Sequence, residues 1–578
     1  MNRHSYSMGI LNKGSKAALA LALWPSLLVS LPSHGHFLET TSSRSLFQLQ
    51  AYKDEITANY ENSALVSASL INLNSNINSW YILDVVDKNK SEHIYNILAI
   101  SDASKLRLDT SSPELIIVND NIAYKCDINN EIINTFGRSS GTRSSYLAVC
   151  NDLLLLKIKQ DGHQSTIEKG AEALRWLAGE SGESVINEVK ETLFKDRYLV
   201  KEETQDSQGL LAAPVMNIPL PRATIQNKYE STSIPATFLG LRAESSEKSF
   251  LAGCWYPLKN FKGVYASMIE PRMASQQILD SHLDRVNPLD GVENNGVVYL
   301  MSLSLNKYTV GWGHGTDHPG VGWSERAKNI IKDNPLGPDG FNTASPLVFL
   351  GHVPPSLWPK TMGTFSGGFQ KRHSAFRYGE LSESDKAHHY GFMENGVILV
   401  SPSEGLATII IYGDGSIDLK TWAKEDNQKL HLTKHFRQNG VPLIDRDEKG
   451  QGIPGRHVKS WGNGNWSGSA DRELRTVRGA ACIIETPQDK YLVYAYFSGA
   501  TPSAMARVFQ AYGCNYAIHL DMNSPGQAYA SLFTKYGSDS TFKIENLVTS
   551  MNGGDSSGTP RYLIKPDYKD FFYIMKKD

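Results

Sequence analysis

The sequence predicts an α+β chain (mixed α/β) in two folded parts. A smaller α+β domain is expected over 37–205, and a larger C-terminal domain with a mixed sheet and flanking helices over 237–578. Three observations carry this. The 578 residues exceed what one hydrophobic core usually holds, and 40% apolar with 10% aromatic residues is enough to fill two. Short apolar, β-branched and aromatic runs alternate with helical periodicities. Between the halves, a polar EETQDSQG stretch followed by Pro214, Pro219, Pro221 and Pro235 marks a connector, placed at 206–236.

Residues 1–36 read as a targeting segment. Arg3, Lys13 and Lys16 precede the apolar run AALALALWPSLLVSL, which Pro25 interrupts. That run is short for a membrane span and fits a secretory signal, with an uncleaved N-terminal anchor as the alternative. Export to the periplasm or medium is therefore expected, with membrane contact only through this segment. Lysine plus arginine total 58 against 60 acids. That balance gives no electrostatic footprint for nucleic acid.

Over 37–205, Ala64–Asn72, Trp80–Val86 and Glu114–Asn119 are strand-like. Ser165-Thr-Ile-Glu168 is a capping-box pattern opening a helix with Ile167, Ala171, Leu174 and Leu177 on one face. A second helix follows with Val185, Val189 and Leu193. No chemistry is evident here. Gly137-Arg-Ser-Ser-Gly141 matches a serine-hydrolase pattern, but in a polar loop rather than a strand-to-helix elbow. Of the five cysteines, Cys126 and Cys150 flank a polar loop and are expected to pair. Cys482 and Cys514 are either close or merely buried, and an odd count leaves one thiol over.

The C-terminal part is organised around 475–524. Ala480–Glu485 and Tyr491–Phe497 form a hairpin across Thr-Pro-Gln-Asp-Lys. Thr501-Pro502 supplies a cap and first-turn proline, and Met505, Val508, Phe509 and Tyr512 share one helical face before Gly513. Tyr516–Leu520 is a buried strand that delivers Asp521 at its end, where open α/β sheets place ligand-binding groups. His519 lies on the same side of that strand, because side chains alternate.

The order Arg-Thr-x-x-Gly, strand, Gly-x-Thr-x-x-x-Met-Ala helix, Gly-Cys, strand, Leu-Asp resembles the C-terminal half of the phosphodiester glycosidase family. The resemblance covers roughly 350–578. It implies hydrolysis of a sugar linked through phosphate in an envelope or extracellular glycan, with a carbohydrate or sugar-phosphate substrate. The family's Asn-Gly-Gly-Phe-Phe is matched here by Ser366-Gly367-Gly368-Phe369-Gln370, and its Leu-Asp-Gly-Gly-Gly-Ser by Leu520-Asp521-Met522-Asn523-Ser524. Both glycine motifs are altered, which supports the fold better than the activity.

Candidate roles follow. Asp521 is the carboxylate for acid–base or nucleophilic work or else a strand-end cap, with Asp317, Glu404 or Glu473 as its candidate partner and His519 beside it. Arg475 matches the family's arginine and is a phosphate clamp or one half of a structural ion pair. Ser366, Gly367, Gly368 and Phe369 offer backbone N–H groups to an anion, and Lys371, Arg372 and His373 add positive charge. Asn523 and Ser524 complete the turn after Asp521. Tryptophan faces stack on sugar rings, and Trp312 opens a glycine-rich stretch where this is expected. In that stretch His314, Asp317 and His318 are ligand types for a divalent metal, although in a glycine loop a substrate-shaping role competes. A non-catalytic glycan-binding or envelope-interaction protein is the alternative to the hydrolase.

Overall fold

The strand Thr476–Glu485 is an interior strand of the largest described sheet. Ten residues long, it pairs on one side with Lys490–Ala500 and on the other with Tyr516–Met522. The computed structural model describes residues 50–60, 65–99, 105–111, 116–119, 122–125, 146–149, 154–157, 218–245, 248–315, 350–369, 390–400, 402–460, 475–536, 541–551 and 558–577. The expected helices from Ser165 and around Val185, the Cys126–Cys150 pair and the segment 1–36 lie outside them.

The described fold is mostly β, which corrects the α+β expectation. Every strand pairing among the described residues is antiparallel, whereas a mixed sheet was expected. The reason lies in the order of closure. The helix Pro502–Ala511 does connect two strands that run the same way, Lys490–Ala500 and Tyr516–Met522. However, the preceding hairpin has already placed Thr476–Glu485 beside Lys490–Ala500, so the returning strand pairs with Thr476–Glu485 instead. One antiparallel strand thus separates the two that a βαβ unit would have joined.

This hairpin and its returning strand belong to an eight-stranded sheet that also holds Phe261–Ile269 and Val298–Ser304. The helix covers it with nine of its ten residues buried; Thr501 Oγ caps its start by accepting from Ala504 N. A disulfide, Cys482–Cys514, ties the central strand to the turn after the helix. A five-stranded sheet has the order Tyr308–Gly313, Phe571–Lys576, Thr361–Ser366, Ala530–Tyr536, Thr541–Asn546. Phe365 meets Tyr494 of the central sheet at 5.3 Å between ring centroids, so aromatic faces fill the space between the two sheets.

The N-terminal strands Asp54–Asn59, Leu65–Asn72, Trp80–Asp87 and Glu92–Ala99 form a meander completed by Leu154–Lys157 and Tyr146–Val149. Its alternation is two-sided. Trp80 and Ile82 join the main core, while Tyr81, Leu83 and Val85 build a separate cluster on the other face. Gln50 fastens the region by accepting from Ile398 N at 3.1 Å and donating to Ile398 O at 2.9 Å. Within the expected connector, Leu220, Ala223 and Ile234 are buried in the main core.

Candidate active site

Strand Tyr516–Met522 is buried along its whole length, so its apolar sequence needs no further account than the sheets on either side. His519 and Asp521 are the exceptions, the latter a carboxylate only 6% exposed. Oδ1 accepts from the backbone N–H of Met522 at 2.9 Å, and Oδ2 accepts from Lys569 Nζ at 2.8 Å. Lys569 is itself buried, just before the strand Phe571–Lys576.

The neighbours of Lys569 repeat the pattern. Asp570 accepts from Arg437 Nε at 2.8 Å, with both groups out of water. Asp567 accepts from Arg561 Nε and from the Lys569 N–H, each at 2.9 Å. Three residues in this four-residue stretch thus hold three charge pairs, two of them with strands distant in the chain. Pairs out of water require each charge to keep its partner.

The loop after Thr361–Ser366 closes onto this clasp. Gly367 N donates to Asp570 O at 3.0 Å. Phe369 N donates to Asn439 Oδ1 at 2.9 Å, and Asn439 Nδ2 donates to His519 O at 2.6 Å. Phe369 O accepts from Arg437 Nη2 at 2.7 Å. A Cβ on Gly368 would stand 2.7 Å from Asn439 Oδ1 and 2.8 Å from the Arg437 guanidinium. The glycine pair therefore makes room for a buried arginine, and the amides of Gly367 and Phe369 are engaged within the protein. Phe369 nevertheless packs against His519, and Asn439 ties this loop to the strand that carries Asp521.

His519 is fully buried, edge-on to Phe369 at 4.8 Å. Burial pushes its imidazole well below 6.5, and the charge of Arg478 acts in the same direction. It is a neutral wall of the site. The Tyr494 hydroxyl is pushed well above 10 by burial first and then by the charge of Asp521.

The remaining candidates divide. Arg475 is at the same end of the sheet, bonded to Asp290 and 14% exposed at its side chain. Asn523 donates its N–H to Val477 O at 2.7 Å and takes a φ of 83°, the left-handed region that glycine occupies freely. Ser524 O accepts from the N–H groups of Gln527 and Ala528, which starts the next turn. Trp312 and His314 are buried core side chains, their rings 4.8 Å apart, and His314 meets Phe392 at 4.9 Å. Asp317, His318, Lys371, Arg372, His373 and Glu473 lie outside the described residues. Among the described residues, no group of three or more His, Cys, Asp or Glu is placed to hold a metal.

Sequence reasoning missed Lys569, Asp570, Arg437, Asn439 and Arg478. A signal existed for the first two, because Lys-Asp directly before the apolar run Phe571–Met575 is an unlikely place for two charges unless they are paired. Arg478 had none, since only the fold shows that its side chain is fully buried. Its Nε donates to Ala500 O at 2.8 Å and its Nη1 to Met522 Sδ at 3.5 Å. Burial lowers its pKa to about 9, against the opposing charge of Glu293.

No protein-family description matches the sequence, and no curated protein matches it. Solved structures give weak, distant likenesses. One is the catalytic domain of zebrafish N-acetylglucosamine-1-phosphodiester alpha-N-acetylglucosaminidase, auto-inhibited by its pro-peptide. It is 10% identical, with 62% of this chain and 97% of that one covered, at a TM-score of 0.29. Another is a hypothetical protein from Synechocystis, 9% identical, with 86% and 97% covered, at a TM-score of 0.23.

Proposed function

We propose that the chain is an exported hydrolase that cleaves the glycosidic C–O bond of a sugar linked through a phosphodiester. The observation that supports this best is the convergence on Asp521. A buried carboxylate at a strand end has one oxygen on Lys569, and the loop at Phe369 packs on His519 of the same strand. Pairing with an ammonium favours the anionic form, which suits attack at the anomeric carbon or activation of water there. A phosphate monoester leaves as a stable anion, so little proton donation is needed and one carboxylate does most of the chemistry. Arg475, paired with Asp290, stands at the same sheet end and adds positive charge on the approach of a phosphate. The disulfide Cys482–Cys514 and the N-terminal sequence pattern support export.

A second reading, a glycan-binding module without turnover, draws support from the internal engagement of the Gly367 and Phe369 amides. Hydrolysis in heavy-oxygen water separates the two. The purified chain, given a sugar-1-phosphodiester, should release free sugar carrying the solvent oxygen at its anomeric carbon. The alkyl glycoside of the same sugar should react far more slowly. Label in the phosphate would mean P–O cleavage and end the glycosidase reading, and binding with no product from any diester would favour the module.

A further inference from the structure

Arg478 has a geometry that its protein contacts leave incomplete. The side chain is fully buried. Nε has a carbonyl, Ala500 O, at 2.8 Å. Nη1 has only the Met522 thioether, at 3.5 Å, and sulfur of that kind is a weak acceptor. Nη2 has no hydrogen-bond partner. The Nη1–Nη2 edge of the guanidinium, the part built for two parallel hydrogen bonds, thus lacks a strong acceptor. Contrast Arg437, equally buried, whose three nitrogens bond to Asp570, Phe369 O and Gln438 O.

The surroundings complement an anion with one opposing charge. Ala500 leads directly into Thr501, the cap of the ten-residue helix Pro502–Ala511, whose N-terminus carries partial positive charge. Glu293 is the acid at this point; it accepts from Thr501 N at 3.1 Å and from Asp290 N at 3.3 Å. Both of its oxygens therefore have backbone donors, and it makes no hydrogen bond to Arg478. The turn over the guanidinium is Met522-Asn523, held at the strained φ of 83°. Displacing a thioether from this edge loses one weak contact, while an oxyanion there gains two charge-assisted ones.

We propose that Arg478 is the two-pronged receptor for the phosphodiester monoanion, with Met522 as the side chain that the substrate displaces. The assignment rests on the hydrolase reading for its substrate class and adds a residue to it. Arg478 then lies one strand from Asp521, since it pairs with Met522 in the sheet.

The test uses dimethyl phosphate, a diester that is a monoanion across neutral pH. Its binding to the full chain is followed by calorimetry, against sodium chloride at equal ionic strength. Wild type should bind it saturably. Arg478→Met should bind roughly tenfold or more weakly, the size of lost charge-assisted hydrogen bonds, and Arg478→Lys should recover only part because the fork is gone. Asp521→Asn should bind it as wild type does. Should the arginine variants fail to fold, wild-type crystals soaked in tungstate should show the heavy anion within hydrogen-bond reach of Nη1 and Nη2. Equal binding by Arg478→Met, no saturable binding by wild type, or tungstate only elsewhere overturns the assignment. Turnover of a sugar phosphodiester without Arg478-dependent binding sinks this inference and spares the hydrolase. Arg478-dependent binding without turnover does the reverse.

Discussion

Two buried cations flank the end of strand Tyr516–Met522, and they are treated differently. Lys569 and its neighbours form a closed set, in which Asp521, Arg437 and Arg561 each have a charged partner at 2.8 or 2.9 Å. Arg478, on the neighbouring strand, has a carbonyl on Nε, a thioether on Nη1 and no hydrogen-bond partner on Nη2. The first arrangement specifies structure, because each charge fixes the position of another element. The second lacks that closure, which is what a group reserved for a ligand should look like. Asp521 stands between the two, held by the clasp and followed directly by Met522, the thioether partner of Arg478.

Breaking the closed set should have the largest effect. Asp570→Asn leaves Arg437 charged and buried with its Nε partner neutral, so the apparent free energy of unfolding should fall by about 3–5 kcal/mol. Urea unfolding measures it, and a loss under 1 kcal/mol would show that the clasp is dispensable, at about the value of an exposed pair. Gly368→Ala sharpens the point at lower amplitude. The new methyl meets Asn439 and the Arg437 guanidinium, and the cost should be about 1–3 kcal/mol, as for overpacking elsewhere. Arg478→Met, by contrast, should change stability little or raise it, because it removes a charge that the fold does not satisfy.

Acid should weaken the fold next. His435 and His519 are both fully buried, and burial holds each well below 6.5. His435 Nδ1 accepts from Asn395 N at 3.2 Å, which only the neutral ring can do. Their folded values are depressed, so the unfolded chain binds the extra protons. Stability is full above about pH 6.5 and is lost as pH falls below it, by at most about 1.4 kcal/mol per pH unit for each ring. Urea midpoints between neutral pH and about pH 5.5 check this, and His435→Asn should flatten the slope if it folds. The smallest perturbation is limited proteolysis. First cleavage is expected in the polar part of the connector, 202–217, rather than over 218–236, where Leu220, Ala223 and Ile234 are buried. A first cut elsewhere would move the proposed boundary between the two parts.

How much of this was legible in the sequence depends on the range of the interaction. The hairpin over 480–497, the cap at Thr501, the helix and the strand ending at Asp521 are local patterns, and each forms where its residues place it. The mixed sheet was a wrong expectation because strand order is a long-range choice that periodicity does not encode. The glycine pair is the instructive case. Gly367-Gly368 resembles an anion nest locally, yet its neighbours are Asp570, Asn439 and Arg437, about 70 to 200 positions away in the chain. Of the two roles open to Arg475, the ion pair is the one the fold displays, and its partner Asp290 lies in a separate segment of the chain. No pattern in RTVRG distinguishes the buried, unfinished Arg478 from Arg475, which is paired.

The central claim, that the end of this strand is a catalytic site, is tested most directly by Asp521→Asn. Turnover of a sugar-1-phosphodiester is measured together with dimethyl phosphate affinity and the thermal midpoint. The variant keeps the shape of the side chain and removes its charge. Turnover should fall by roughly two or more powers of ten, the loss expected when positioned acid–base or nucleophilic chemistry is removed, while anion affinity is retained and the chain stays folded. A folded Asp521→Asn protein with wild-type turnover would show that Asp521 is only the partner of Lys569, and would contradict the account.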